Sequence, residues 1–434
     1  MNAVDLMRAI LCKNRTMVSS GFGESLVLLS HELPLTICRF PSGGEYSTWV
    51  VPPRWEVIKA ELSNGERVLA SYADHPLFLA PYSCSFHGWL TRDELLLHIR
   101  SDFNNPDEFV YEYRLAYDYQ RRLKEWVISL PYSVVERLDR PKYFVDIQVE
   151  TSPGELLVGE CTISGQSPNV VFFLSHLCHP GQANDGLAGV IAGIEVMKRI
   201  REEFPGSQYT YRLLIMPETI GSVAYVTEHI AESGFWMGAM FLETPATHEK
   251  LRLKYSRRKY TYLDRVAEHV LRSRNVVYDT SEFHESYGND EKIFDYPGVG
   301  VPAISLQRYP LRTYHTSADN LEGVEIDSMN EYVSLVCGIV AVIENDYLIR
   351  FGHPAPVQLS RFGFYADAVH NNEGFLLNSR CIDMAWRGWS VFDISLKLGM
   401  PFGTVVEYFD KFAESGLIEK VMLDPGYFRS IDDK

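Results

Sequence analysis

The sequence predicts an α/β fold: a mostly parallel sheet flanked by helices, with a small inserted β-rich unit and a C-terminal winged helix-turn-helix. Three observations carry this. From about residue 141 to 350, short apolar runs alternate with amphipathic segments, and strands alternating with helices favour a parallel sheet covered on both faces. Residues 41–140 are rich in aromatics, Pro and Gly, with runs such as STWVVPPRWEV and ERVLASYADHPLFLAPYS that read as strands and turns. In residues 356–434 the stretch SVFDISLKLGMPFGTVVEYFDKFAESGLIEKV reads helix, Gly-containing turn, helix and strand, the order of a winged helix.

Taken in order, residues 1–40 look helical and then irregular, and join residues 141–350 in one domain around the insertion. NVVFFLS is a strand, and GLAGVIAGIEVMKRIREEF, with apolar residues at helical spacing, is a helix. TYRLLIM, MGAMFLE and VPAISL are further strands; SVAYVTEHIAES, YLDRVAEHVLRSR and SMNEYVSLVCGIVAVIEND are helices. GHPAPVQLS reads as a linker to the tail.

A chain of 434 residues is long enough for two or three domains. Its net charge of −16 argues against a general affinity for nucleic acid or anionic membrane, since both need clustered positive charge. The seven cysteines are scattered without a CxxC pair, as free thiols of a reducing cytoplasm would be. The N-terminus lacks the apolar core of a signal peptide, and no apolar run reaches the length of a membrane span, about 20 residues. The expected partner is a small molecule or peptide; nucleic acid and membrane are not expected, and a homo-oligomer is compatible.

Chemically capable groups follow the strands. VVFFLS runs into His176, Cys178 and His179, and then Asn184 and Asp185 at the start of a helix. TYRLLIM is followed by Glu218, MGAMFLE ends in Glu243, and VPAISL leads to His315 and Asp319. In parallel sheets, sites gather at the carboxyl ends of strands. Imidazole and carboxylate together suit zinc, which in a catalytic site takes about three protein ligands and keeps one position open. Each residue alone has a plainer use: a histidine after a strand often only bonds its loop, and Asp185 could cap a helix. Their recurrence at successive strand ends points to a hydrolytic metal site.

HLCHPGQANDGLAG, PETIGS and YHTSADN together resemble the zinc aminopeptidase superfamily, with its co-catalytic metal pair. TWVVPPRWEV and GECTISG resemble a bacterial branch in which that domain carries an inserted β domain and a C-terminal winged helix. The resemblance implies that His176 binds metal, that Asp185 bridges, and that His315 is the distal ligand. It departs from the family at two places. Cys178 stands where an aspartate usually orients the first histidine, which leaves His179 as a rival or additional ligand. Thr219 stands where a second glutamate usually follows Glu218. One of the two glutamate roles is thus unfilled: Glu218 as ligand leaves the base unassigned, and Glu218 as general base leaves a second metal short of a ligand. Glu218 is expected as general base with a single well-bound Zn2+ as cofactor, two ions being the alternative, and Glu243 as a further ligand.

Candidate substrate groups are Tyr287 and Tyr314, which flank the ligands and could bond a tetrahedral oxyanion, Asp290 in GNDEKIF, and Arg257 or Arg258 in KYSRRKYTY, which could meet a carboxylate or phosphate. The second helix of the tail carries Glu407, Asp410, Lys411 and Glu414. It is net acidic, whereas phosphate contact needs Lys and Arg, so a packing or protein-contact role is favoured over DNA. Two functions are therefore expected to compete: a cytoplasmic zinc amidohydrolase of the aminopeptidase kind, and a catalytically silent scaffold or regulator that acts through its winged helix.

Overall fold

The computed structural model describes residues 2–118, 120, 122–285 and 288–431. Two short helices, α1 (Ala3–Ile10) and α2 (Ser20–Ser30), precede the first strand of the main sheet, β1 (Thr36–Pro41). After an excursion the chain returns as β2 (Glu155–Ile163) and β3 (Val170–His176), followed by α3 (Gly189–Glu203). Next come β4 (Thr210–Met216), α4 (Ile220–His229), β5 (Trp236–Glu243), β6 (Leu251–Lys254), α5 (Tyr262–Ser273) and β7 (Tyr278–Ser281). β8 (Ala303–Arg308) and the long helix α6 (Ile326–Asn345) complete the core.

These eight strands form one sheet in the order β1-β2-β4-β3-β5-β8-β6-β7. The sheet is mixed, which corrects the expectation of a mostly parallel one. The central β4, β3, β5 and β8 run parallel, but β1, β2 and β4 are joined antiparallel, and so are β6 and β8. β2 is joined to β3 by a short connection with no helix, and β6 follows β5 in the same way, so neither connection can make the long crossover that parallel neighbours require. The centre is apolar on both faces. Along β3, Val171 and Phe173 enter the core under α3 and α6, while Val170, Phe172 and Leu174 enter the opposite core with α4, as the alternation of side chains along a strand demands.

Residues 42–154 leave the main sheet between β1 and β2. Within them Val68–Ser71, Arg54–Ser63, Lys142–Ser152 and Phe86–Thr91 make a second, antiparallel sheet in that order. Lys142–Ser152, grouped by sequence with the later domain, belongs to this second sheet. The excursion is also stitched to the far end of the chain: Val110 bridges Thr316, and the Tyr111 N–H donates to the His315 carbonyl at 2.8 Å.

α6 is 20 residues long with a mean hydropathy of 1.5, long and apolar enough to cross a membrane, but here it packs on α3 and α5 and most of it is buried in the core. Beyond it, helices α7 (Asn372–Trp386), α8 (Val391–Leu398) and α9 (Phe402–Glu414) gather around Val391, Ile394, Val405, Phe409 and Phe412. Gly399, at φ 63°, turns α8 into α9, and Ile418–Val421 pairs antiparallel with Leu348–Phe351. The chain then returns Tyr427 and Phe428 to the main core.

Candidate metal centre and active site

Because the four central strands are parallel, their carboxyl ends lie along one edge of the sheet. His176 is the last residue of β3 and Glu243 the last of β5. Asp185 and Gly186 interrupt the entry to α3: Asp185 is extended (ψ 91°) and Gly186 has φ 93°. A Cβ on Gly186 would lie 2.7 Å from the His176 carbonyl, so the chain folds back onto the histidine only through glycine. The Asp319 carboxylate clamps this turn by accepting the N–H groups of Asn184 (2.8 Å) and Asp185 (2.9 Å).

Asp185 reaches two histidines at once. Its Oδ1 lies 3.4 Å from His176 Nε2 and its Oδ2 lies 3.3 Å from His315 Nε2. Asp185 Oδ2 and His315 Nε2 are both buried with no hydrogen-bond partner, an expensive arrangement unless a third group sits between them. Two zinc ligands at about 2.0–2.1 Å in tetrahedral geometry are about 3.3 Å apart, so the donors already stand at the edges of such a polyhedron. The donors gather in three overlapping groups: one is His176, Cys178, His179 and Glu218, and the other two contain Asp185. His176, Asp185 and Glu243 form one of these two, and His179, Asp185 and His315 the other, with the donor atoms of each within 4.8 Å of one another. The carboxylate shared by these two groups is Asp185.

The surroundings tune these groups. Burial pushes the Glu243 carboxyl up, opposed by His176, whose Nε2 lies 2.9 Å from Glu243 Oε2. Burial would also raise Asp185, but His179, His315 and His176 outweigh it and hold the carboxylate well below its usual range. Glu218 is pushed up to about 8, first by burial and further by Asp290, Asp185 and Glu243 against the pull of His176, close to neutrality, as proton transfer in both directions requires.

Glu218 projects from a strained turn. Thr219 has φ 62° and ψ −63°, and the Ile220 N–H donates to the Glu218 carbonyl at 2.7 Å; this is a γ-turn of the rare, strained kind. Cys178 Sγ accepts the Glu218 N–H at 3.1 Å and lies 3.6 Å from His179 Nδ1. The sulfur thus braces Glu218 and His179, and it also faces the imidazole of His176, whose charged form it favours. The His179 loop is held from below by the buried Arg15, which donates to the carbonyls of Leu177 (2.8 Å) and His179 (2.5 Å).

The expected substrate groups fare differently. Tyr314 lies in the wall of a cavity of about 710 Å³ that also takes in His179, Glu218 and His315, and stacks on His315 at 3.8 Å. Tyr287 lies outside the described residues. Asp290 does not line the cavity. It is buried beneath the Glu218 turn, accepting the Thr219 N–H at 2.9 Å and the Ser222 hydroxyl at 2.6 Å. Arg257 does not line the cavity either, because Asp295 takes both its N–H (2.7 Å) and its guanidinium (Nε to the carbonyl, 2.8 Å). Sequence reasoning missed Tyr111, Tyr113 and Tyr117, which the excursion brings into the cavity wall. The four tyrosines of VYEYRLAYDY were visible, but nothing local ties them to a histidine about two hundred positions away.

A family model described as a domain of unknown function, DUF4910, matches residues 4–346. The chain belongs to the DUF4910 family. This DUF4910 chain is 28% identical over 399 residues, 89% of each chain, to a Clostridium acetobutylicum protein named for polysaccharide biosynthesis and an aminopeptidase-like domain. It superimposes on a C. acetobutylicum crystal structure described as a peptidase with a TM-score of 0.84, at 24% identity and 96% coverage of both chains. The zinc aminopeptidase BSAP of Bacillus subtilis is similar with a TM-score of 0.57 at 13% identity, over 78% of this chain and 93% of that one. The DUF4910 chain therefore has an aminopeptidase-like fold.

Proposed function

We propose that this DUF4910 protein is a zinc-dependent amide hydrolase with two metal positions that share Asp185. The observation that carries the reading is that carboxylate, with one oxygen 3.4 Å from His176 and the other 3.3 Å from His315. His176, Asp185 and Glu243 would hold one ion, and His179, Asp185 and His315 the other. On this reading His179 takes the ligand position left open where Thr219 stands instead of a second glutamate. When bound, zinc supplies Lewis acidity: it polarises a carbonyl and brings the pKa of water toward neutrality.

The chain's own part is proton traffic and positioning. Glu218, 3.5 Å from His179, accepts a proton as water oxygen bonds to the amide carbon. It gives that proton to nitrogen as the C–N bond breaks, leaving a carboxylic acid and an amine. The substrate is a peptide with a free amine or an acylated amine; because the C. acetobutylicum relative is named for polysaccharide biosynthesis, we include acylated amino sugars among the latter. The seven unpaired cysteines agree with a cytoplasmic setting, and we read the C-terminal unit as a winged helix that contacts protein.

The test is elemental analysis of the purified chain, with hydrolysis of aminoacyl p-nitroanilides and N-acetylated amino sugars before and after chelation. One to two zinc ions per chain with turnover that chelator abolishes and zinc restores is the expected result. Folded protein that takes up no zinc, or zinc-loaded protein inert on both substrate classes, overturns the reading in favour of a regulator.

A further inference from the structure

Among the described tyrosines of the cavity wall, Tyr111 is set apart by its burial. It is 8% exposed, against 42% for Tyr113 and 38% for Tyr314. Its ring meets the edges of two candidate ligands, with centroids 5.1 Å from His179 and 5.1 Å from His315. The backbone leading into Tyr111 is fixed: besides the Tyr111 N–H to the His315 carbonyl, the Phe109 N–H donates to Ser317 Oγ at 3.0 Å and the Ser317 N–H to the Phe109 carbonyl at 2.9 Å. The phenol makes no hydrogen bond to any described residue, and its oxygen is open to the cavity that Tyr111 lines. An ordinary phenol keeps its proton at neutral pH, so the group is a neutral donor, placed beside two candidate metal ligands and without an acceptor among the described residues.

We infer that Tyr111, carried into the site by the excursion, donates its hydroxyl to the oxyanion that forms when the amide carbon becomes tetrahedral. The inference rests on the hydrolase reading. As the water oxygen bonds to carbon, the carbonyl π pair moves onto oxygen, and Glu218 holds the proton lost by the water. Tyr111 keeps its own proton and shares it in a hydrogen bond. When the C–N bond breaks, the carbonyl reforms and the bond weakens. A donor that strengthens only as charge develops accelerates the step, and removing one such donor typically costs about 10²–10³ in kcat.

The experiment uses the zinc-loaded full chain and Tyr111→Phe, which deletes one oxygen and keeps the ring against both histidines. Zinc content is measured first, then kcat and KM on the best p-nitroanilide or acetylated amino sugar. Affinity is then measured for the phosphonic acid matching its acyl part, which is tetrahedral, and for the planar carboxylate product. We expect unchanged zinc, kcat lower by about 10²–10³-fold, KM within about threefold, and phosphonate affinity reduced while product affinity is retained. A variant within twofold of wild type in kcat and phosphonate affinity overturns the role of Tyr111 and leaves the hydrolase standing. So does one that loses zinc, or that weakens both inhibitors alike, because Tyr111 would then only shape the site. A zinc-loaded wild type with no turnover on either class overturns both.

Discussion

Glu218 owes its position to a neighbour that carries no chemistry. Thr219 sits in backbone geometry that costs about 1–3 kcal/mol for a non-glycine residue, and Asp290 holds it there through the Thr219 N–H. The aspartate expected to touch substrate instead braces the turn that carries Glu218, the proposed base. Glu218→Gln keeps the shape and the Cys178 contact to its N–H but cannot accept a proton. We expect kcat to fall by about 10²–10⁴-fold, the usual worth of a general base, with zinc per chain unchanged. A variant retaining more than a tenth of wild-type kcat would falsify the assignment. The acids and imidazoles were legible in the sequence as types following strands. Their partners were not, because Asp290 lies 71 positions from Thr219 and a hydrogen bond across that span follows from the fold, not from any local pattern.

At the scale of elements, the turn Asn184–Asp185–Gly186 links the first histidine to the first helix of the core. The helix itself was plain from apolar periodicity, and so were the strands ending in His176 and Glu243, because segments buried on both faces are continuously apolar. The strands that make the sheet mixed were harder to read. β6 and β7 are four residues each, too short for a periodic signal, and β2 carries Gly159, Glu160 and Cys161 in place of an apolar run. The reversal at Gly186 gives a prediction. Gly186→Ala must accept φ 93° and a 2.7 Å contact with the His176 carbonyl. It should lose about 2–3 kcal/mol of stability and most of its zinc, read by denaturant unfolding and metal analysis. Wild-type zinc occupancy in this variant would show that the turn does not set the ligand geometry.

Across the whole molecule, the C-terminal unit is joined to the core through a buried carboxylate. Asp346, just after α6, accepts the Tyr262 hydroxyl (2.8 Å), the Phe392 N–H (2.8 Å) and its neighbour Tyr347's N–H (2.9 Å). Burial, with Asp393 nearby, pushes its pKa up to about 7. In the unfolded chain an aspartate titrates near 3.9, so the folded state binds the proton more tightly. The contribution of Asp346 to stability is therefore greatest below about pH 4, is lost as pH rises toward 7, and stays lost above it. Asp346→Asn keeps an acceptor for both N–H groups and carries no charge. Its Tm minus that of wild type should grow from pH 4 to pH 7 and level off beyond; a difference that is flat with pH would remove the titration from Asp346.

The excursion is anchored at three points: where it leaves β1, where it re-enters at β2, and where Val110 meets Thr316. A flap fastened along its outer margin has no free edge to swing. The mouth of the cavity is bordered by this anchored backbone, and on the hydrolase proposal a substrate is expected to arrive as a slender end or a small molecule. A folded polypeptide offered as substrate should leave this protein uncleaved, while short or terminal amides of matching chemistry are consumed.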